Sequence, residues 1–186
     1  MRYVITIICC GMLLGCGRPS HPRTHQDRLD RAMGKLADAQ SEEQRFYALG
    51  KAAKESFNAG NIEDARKYAQ ELAALLPKYQ RNWNYGNGVQ DSNLVLGRIA
   101  VLEGRIEDAK RFLLEAGKSR GSPQMNSFGP NMSLAKDLLE KGERQVVLEY
   151  FELCRKFWKK HADKLDQWSQ EVKDGKIPAF SANLVY

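Results

Sequence analysis

Past its opening stretch, the chain spaces its apolar residues by threes and fours. Between Asp27 and Ala39 the apolar positions are Leu29, Ala32, Met33, Leu36 and Ala39, which predicts a short amphipathic helix. "SEEQ" then opens another. Ser41 can accept a hydrogen bond from the Gln44 amide while the Gln44 side chain reaches back, a reciprocal cap before a helix that should end near Gly60. Towards the other end, Val147, Phe151, Cys154, Trp158, His161, Leu165, Trp168 and Val172 alternate steps of four and three. They predict one long helix, stopped at Gly175, whose apolar face caps the end of a helical array in preference to forming a dimer seam. "KIPAFSANLVY" carries too much apolar surface to float freely and should fold back. The pattern is all-α.

Within this pattern one phrase is said twice. Gly60 to Tyr68 reads "GNIEDARKY" and Gly104 to Phe112 reads "GRIEDAKRF", with five of nine positions identical and Arg66/Lys110, Lys67/Arg111 and Tyr68/Phe112 exchanged like for like. A helical pattern flanks each glycine on both sides, so each unit is a helical hairpin. The arrangement resembles the tetratricopeptide repeat (TPR), whose pattern places Leu-Gly in the first helix, glycine at the turn, alanine five residues later and often a terminal proline. Leu96, Gly97, Gly104 and Ala109 match it in one unit; Gly60, Ala65, Ala69, Leu72 and Pro77 match in another, where Ala52 and Ala53 stand in place of Leu-Gly. A fainter third unit, "SLAKDLLEKGERQVVLEYF", puts Leu134, Ala135, Gly142, Val147 and Phe151 at the corresponding places. Small residues such as Ala65 and Ala109 let helices approach closely, and the glycines allow a turn that a side chain would obstruct. Over residues 42–157 the resemblance implies a right-handed superhelical stack of about three TPR-like hairpins with a long C-terminal capping helix. The turn glycines lie 44 and then 38 residues apart, against about 34 in the family. The extra residues fall in two stretches, 78–93 and 118–131.

Composition adds one globular domain and an address. The 186 residues are 42% hydrophobic and 28% charged, enough for one ordinary core. Arg2 and the apolar run from Tyr3 to Leu14 precede it. Twelve residues rise about 18 Å as a helix, short of a hydrocarbon core of roughly 30 Å, so this segment reads as an export signal and not as an anchor. Leu13-Leu14-Gly15-Cys16 resembles the bacterial lipobox, in which a small residue precedes a cysteine that is acylated and becomes the first mature residue. That resemblance implies a signal peptide at 1–15, lipidation of Cys16, a flexible tether over 16–26 and a repeat domain over 27–186. It places the protein on the exoplasmic side of the bacterial cell envelope. Gly17, where aspartate commonly retains lipoproteins inside, implies the periplasmic leaflet of the outer membrane in a host that has one.

With Cys9 and Cys10 in the removed segment and Cys16 lipidated, Cys154 is alone in the mature chain, so no intramolecular disulfide is available and Cys154 is expected to be buried. The formal charge of +6 is interleaved with acids along the helices. That argues against nucleic acid and for anionic headgroups or acidic partners.

Candidate chemistry is sparse. No GxSxG, phosphate loop or cysteine–histidine pairing is present, so no enzyme and no cofactor are expected. Cys154 and His161 lie two turns apart on the predicted helix, too far for one zinc, and His161 reads as a core or boundary histidine. Glu63-Asp64 and Glu107-Asp108 read as acids at helix starts, with Asn61 and Asp64 at capping spacing. Two candidate binding surfaces remain. In TPR stacks the first helices line the concave side. Counting six residues back from each turn glycine gives Lys54, Arg98 and Lys136, and three back gives Phe57, Val101 and Leu139. This basic ladder beside an apolar one suits an acidic or carboxylate-ended peptide of another envelope protein. The alternative surface is the two long stretches, where Trp83, Asn84, Tyr85, Asn87, Asp91, Gln124, Asn126 and Asn131 gather the stacking and hydrogen-bonding groups used for glycans or other small ligands.

Overall fold

The computed structural model describes residues 24–184. The expected signal segment, Cys16 and the tether as far as residue 23 lie outside the described residues, as do Val185 and Tyr186. Nine α-helices and no strand occur among the described residues: α1 (His25–Ala37), α2 (Glu42–Asn58), α3 (Ile62–Leu75), α4 (Tyr85–Leu102), α5 (Ile106–Gly117), α6 (Pro123–Phe128), α7 (Ser133–Glu140), α8 (Arg144–Cys154) and α9 (Ala162–Lys173). Short 3-10 turns occupy Lys159–His161 and Ser181–Leu184.

Local hydrogen bonding explains where the helices start. The Thr24 hydroxyl accepts from the Asp27 amide at 3.1 Å, and the Asp27 carboxylate accepts from the Thr24 amide at 2.9 Å. This capping box draws His25 and Gln26 out of the expected tether and into α1. Ser41 caps α2 through the Gln44 amide at 3.2 Å, but the Gln44 side chain accepts from the Gln40 amide instead of returning to Ser41.

The hairpins α2–α3, α4–α5 and α7–α8 share one turn. Gly60, Gly104 and Gly142 have φ of +83°, +74° and +86°. The residue after each glycine donates its amide to a carbonyl five residues back: Asn61 to Ser56 at 2.9 Å, Arg105 to Ala100 at 2.8 Å, Glu143 to Leu138 at 3.0 Å. This closure satisfies carbonyls at the helix end and requires a left-handed residue. Asn61 leads directly into α3 and its side chain makes no capping bond, despite its spacing from Asp64.

The first helices α2, α4 and α7 pack side by side, while α3 packs on α4, and α5 on both α7 and α8. Two apolar clusters result. One joins Phe46, Leu49 and Ala53 of α2 and Ala69 and Leu72 of α3 to Val95 and Ile99 of α4. The other joins Leu94 and Ala100 of α4 to Leu113, Leu138, Phe151, Trp158, Trp168 and Phe180. Helix α4 therefore belongs to both. Gly97 makes this close packing possible, since a Cβ there would lie 2.2 Å from Leu134 Cδ2.

The expected long C-terminal helix is two helices. α8 ends at Cys154, the chain turns, and α9 resumes at Ala162. A continued helix would set Arg155 over Lys159 and Lys156 over Lys160, pairs of like charge that oppose it. It would also place the neighbouring Phe157 and Trp158 about 100° apart. The break lets both go inward: Phe157 closes on Gly121 and Trp158 on Gly129, where an added Cβ would come within 2.7 Å of Phe157 Cβ and 2.5 Å of the Trp158 ring. The stripe residues Val147, Phe151, Cys154, Trp158, Leu165, Trp168 and Val172 are all buried. His161 is not; it is exposed, its ring 5.2 Å from that of Trp158. The tail does fold back through Phe180 and Asn183. Asn183 Nδ2 donates to the carbonyls of Phe128 (3.1 Å) and Pro130 (2.9 Å), and its own carbonyl accepts from the Met132 amide at 2.7 Å.

Candidate functional site

The first helices line one trough. At one end is a cleft of about 310 Å³ between α2, α4 and α6; it shares Lys51 and Lys54 with a narrow waist of about 30 Å³. The waist shares Glu55, Asn58, Arg98, Ser133 and Leu184 with a third hollow of about 320 Å³. His25 and Arg28 of α1 border that far hollow.

Lys54, Arg98 and Lys136 all stand along this trough, and each has a carboxylate partner. Lys54 Nζ lies 2.8 Å from Asp91 Oδ1, and Arg98 Nε 2.7 Å from Asp137 Oδ2. Lys136 pairs with Glu140 one turn along its own helix. The first two pairs bridge successive first helices, and Arg28 to Glu55 at 3.4 Å extends the series to α1. The basic ladder is thus interleaved with an acidic one. Sequence reasoning passed over that second ladder. A signal for it exists: Asp91 follows Lys54 by 37 residues and Asp137 follows Arg98 by 39, nearly one repeat each.

Of the apolar ladder only Phe57 stays in the trough. Phe57 lines the waist, with the Arg98 guanidinium 4.4 Å over its ring. Leu139 is buried in the second core cluster, and Val101 packs against that cluster.

Glu55 is the trough's most buried charge, at 3% exposure. Burial pushes its carboxyl up. Lys51, whose ammonium lies 2.8 Å away, together with Asn58 and Arg28, outweighs that and holds it below the usual range.

The two long stretches are largely folded. Tyr85, Asn87 and Asp91 belong to α4, and Gln124 and Asn126 to α6. Asn84, Asn87, Asp91 and Gln124 gather at the 310 Å³ cleft. Trp83 is 60% exposed beside Tyr47, their rings 5.6 Å apart. Tyr85 lies under the Arg120 guanidinium at 4.9 Å. Asn126 sits against Gly121 and, in its satisfied orientation, donates to the Phe157 carbonyl at 3.0 Å. Asn131 is buried and takes a structural part. Its amide donates to Gln90 Oε1 (3.0 Å), Gln90 Nε2 to the Tyr150 hydroxyl (3.2 Å), and that hydroxyl to the Asn131 carbonyl (2.9 Å). The closed ring of bonds ties the α6–α7 connection to α4 and α8, and burial first of all pushes the Tyr150 hydroxyl far above its ordinary range. Cys154, beside it, is fully buried, and burial raises its thiol strongly.

Among the described residues no cluster of three or more His, Cys, Asp and Glu could hold a metal ion, and no helix is long and apolar enough to cross a membrane. No family model, curated protein or solved structure matches this chain.

Proposed function

We propose that this protein is a lipid-anchored scaffold of the bacterial envelope, a right-handed TPR-like stack without enzymatic activity, whose trough receives an extended segment of another envelope protein. The observation that carries this reading is the continuity of the trough across α1, α2, α4 and α7, with one inter-helix ion pair per step. An acidic or carboxylate-ended peptide would bind by exchange. Its carboxylates would take the place of Asp91 and Asp137 on Lys54 and Arg98, charge-assisted bonds that are stronger when shielded from water. Lys136, exposed in part and paired only along its own helix, is the most readily recruited of the three.

The pairs also set the design of the test. Reversing Lys54 or Arg98 alone would leave two carboxylates facing each other. Exchanging both partners, Lys54→Asp with Asp91→Lys and Arg98→Asp with Asp137→Arg, keeps each pair and inverts the ladder. From crosslinked envelopes, the wild-type chain should capture one stoichiometric protein in a salt-sensitive manner. The exchanged variant should lose it while keeping its helicity and melting temperature, and replacement of Lys67, Lys110 and Arg111 on the second helices by glutamine, which sets no new carboxylate against Glu107, Glu143 or Asp108, should not affect capture. Equal effects from both sets, or capture indifferent to salt, would remove the trough as the binding surface. Mass spectrometry of the mature N-terminus, expected to be acylated Cys16, checks the anchoring.

A further inference from the structure

The cleft at the α6 end of the trough has properties that the rest of the trough lacks. Two walls come from the first helices, through Tyr47, Lys51 and Lys54 of α2 and Asn84, Asn87 and Asp91 at the start of α4; the third comes from Gln124 and Met125 of α6 and from Gly129. That third wall is built from the residues that lengthen the spacing between turn glycines. Its floor is glycine. A Cβ on Gly50 would come 2.5 Å from Asp91 Oδ2, and one on Gly88 would meet Leu76 and Phe46 at 3.0 and 3.2 Å. Any larger residue there would crowd the floor.

Hydrogen bonds orient the amides that line it. The Ser122 hydroxyl donates to Asn87 Oδ1 at 2.7 Å, which fixes the Asn87 amide. Asn87 Nδ2 then donates to Asn84 Oδ1 at 2.7 Å and to Gln124 Oε1 at 3.2 Å. With their oxygens engaged, Asn84 and Gln124 keep their NH₂ groups as donors, and neither group bonds to a described residue. The Tyr47 hydroxyl is likewise committed, donating to Glu43 at 2.6 Å and accepting from Asn82 at 2.7 Å, so Tyr47 offers its ring. Trp83 does not line the cleft itself, but its exposed ring lies 5.6 Å from that of Tyr47 and extends the aromatic surface beyond the rim.

Charge narrows the ligand further. Both ammonium groups in the cleft are already paired, Lys54 with Asp91 and Lys51 with Glu55. An anion or a cation would have to displace one of these pairs, whereas a neutral ligand leaves both in place. What remains is a neutral, oxygen-rich molecule: its oxygens meet the two oriented NH₂ groups, one of its hydroxyls can donate to Asp91 Oδ2, and an apolar C–H face can lie on an aromatic ring. The volume is near the lower end of small-molecule sites, roughly 300–1,000 Å³, which suits one or two rings and not a polymer enclosed whole.

We infer that this cleft is a binding site for a neutral mono- or disaccharide unit, held by Asn84, Gln124 and the Tyr47–Trp83 face. The site shares Lys54 and Asp91 with the proposed peptide trough, but Asn84 and Gln124 are its own, since they line neither the waist nor the far hollow.

The test uses the mature chain in detergent with N-acetylglucosamine, chitobiose, maltose and cellobiose as probes, followed by saturation-transfer NMR and Trp83 fluorescence. At least one of these should bind saturably. Gln124→Ala and Asn84→Ala should each weaken it by about tenfold, roughly one lost hydrogen bond, and Trp83→Ala should weaken it without change in melting temperature. Gln124 and Trp83 are exposed, so those variants fold whether or not the site is real. Partner capture by the trough should survive Gln124→Ala, which separates failure of this site from failure of the scaffold reading. The inference falls if none of the four sugars saturates, if binding persists in the Asn84→Ala, Gln124→Ala double variant, or if glucuronate, an anionic sugar, binds more tightly than every neutral one.

Discussion

At the scale of single residues, two kinds of glycine hold this structure, and they should fail differently. Gly104 has φ of +74° and open space where a Cβ would go. Gly104→Ala therefore costs only the left-handed backbone, about 1–2 kcal/mol, and Gly104→Asn should recover part of it because asparagine tolerates that region. Gly97 has an ordinary helical backbone but no room, with Leu134 and Phe112 at 2.2 and 3.1 Å from the missing Cβ. Gly97→Ala should cost about 1–3 kcal/mol by overpacking, and Gly97→Asn more. Urea denaturation midpoints of the four variants check this; a Gly97→Asn variant as stable as Gly97→Ala would show that the contact yields. The turn glycines were legible because a left-handed residue is a local demand that recurs with the repeat. Gly121 and Gly129 were not. They too have left-handed backbones, φ of +81° and +90°, but outside the repeat, and the approach of Phe157 and Trp158, 36 and 29 residues later, is announced by no local pattern.

At the scale of helices, ion pairs decide what local periodicity could not. Helix α1 has only three buried apolar residues, Leu29, Ala32 and Leu36, and a polar tie from Arg28 to Glu55. The Glu55 carboxyl is held below its ordinary range, so its stabilising contribution is complete above the unfolded value, about 4.3, and is lost as pH falls through the folded one. Amide exchange in α1 should therefore accelerate relative to α4 below about pH 4, and Glu55→Gln should flatten that difference. Unchanged relative exchange across this window would mean that the Arg28–Glu55 pair does not hold α1 in place. The candidate trough was legible only in part for the same reason. Counting back from the turn glycines put Lys54, Arg98 and Lys136 on one surface, but a register count carries no information about which acids stand opposite. Nor could it foresee that α8 and α9 separate, since the stripe of threes and fours runs on through the break.

At the scale of the whole molecule, α4 sits in both apolar clusters, with Val95 and Ile99 facing one and Leu94 and Ala100 the other. Stacked hairpins can unfold piecemeal when neighbours share little; here a shared helix couples the halves. Ile99→Ala, which leaves a cavity worth about 2–5 kcal/mol in the first cluster, should lower the midpoint seen by Trp158 and Trp168 in the second as much as that seen by amide exchange in α2 and α3. Two separated midpoints would show that the halves are independent.

The position of α1 has one more effect. His25 and Arg28 border the far hollow, so the first described helix begins at the mouth of the trough. Residues 17–23 can span no more than about 25 Å, so in the proposed lipid-anchored form anchorage at Cys16 would keep that mouth within about the same distance of the bilayer. A partner tethered in the same leaflet would meet it at an effective concentration in the millimolar range. Weak intrinsic affinity would then suffice for occupancy, and soluble competitors would be excluded by dilution alone. In the proposed scaffold, a trough whose charges are already paired would suit such an encounter: selection by co-residence on a membrane, with release as fast as the exchange of one ion pair for another.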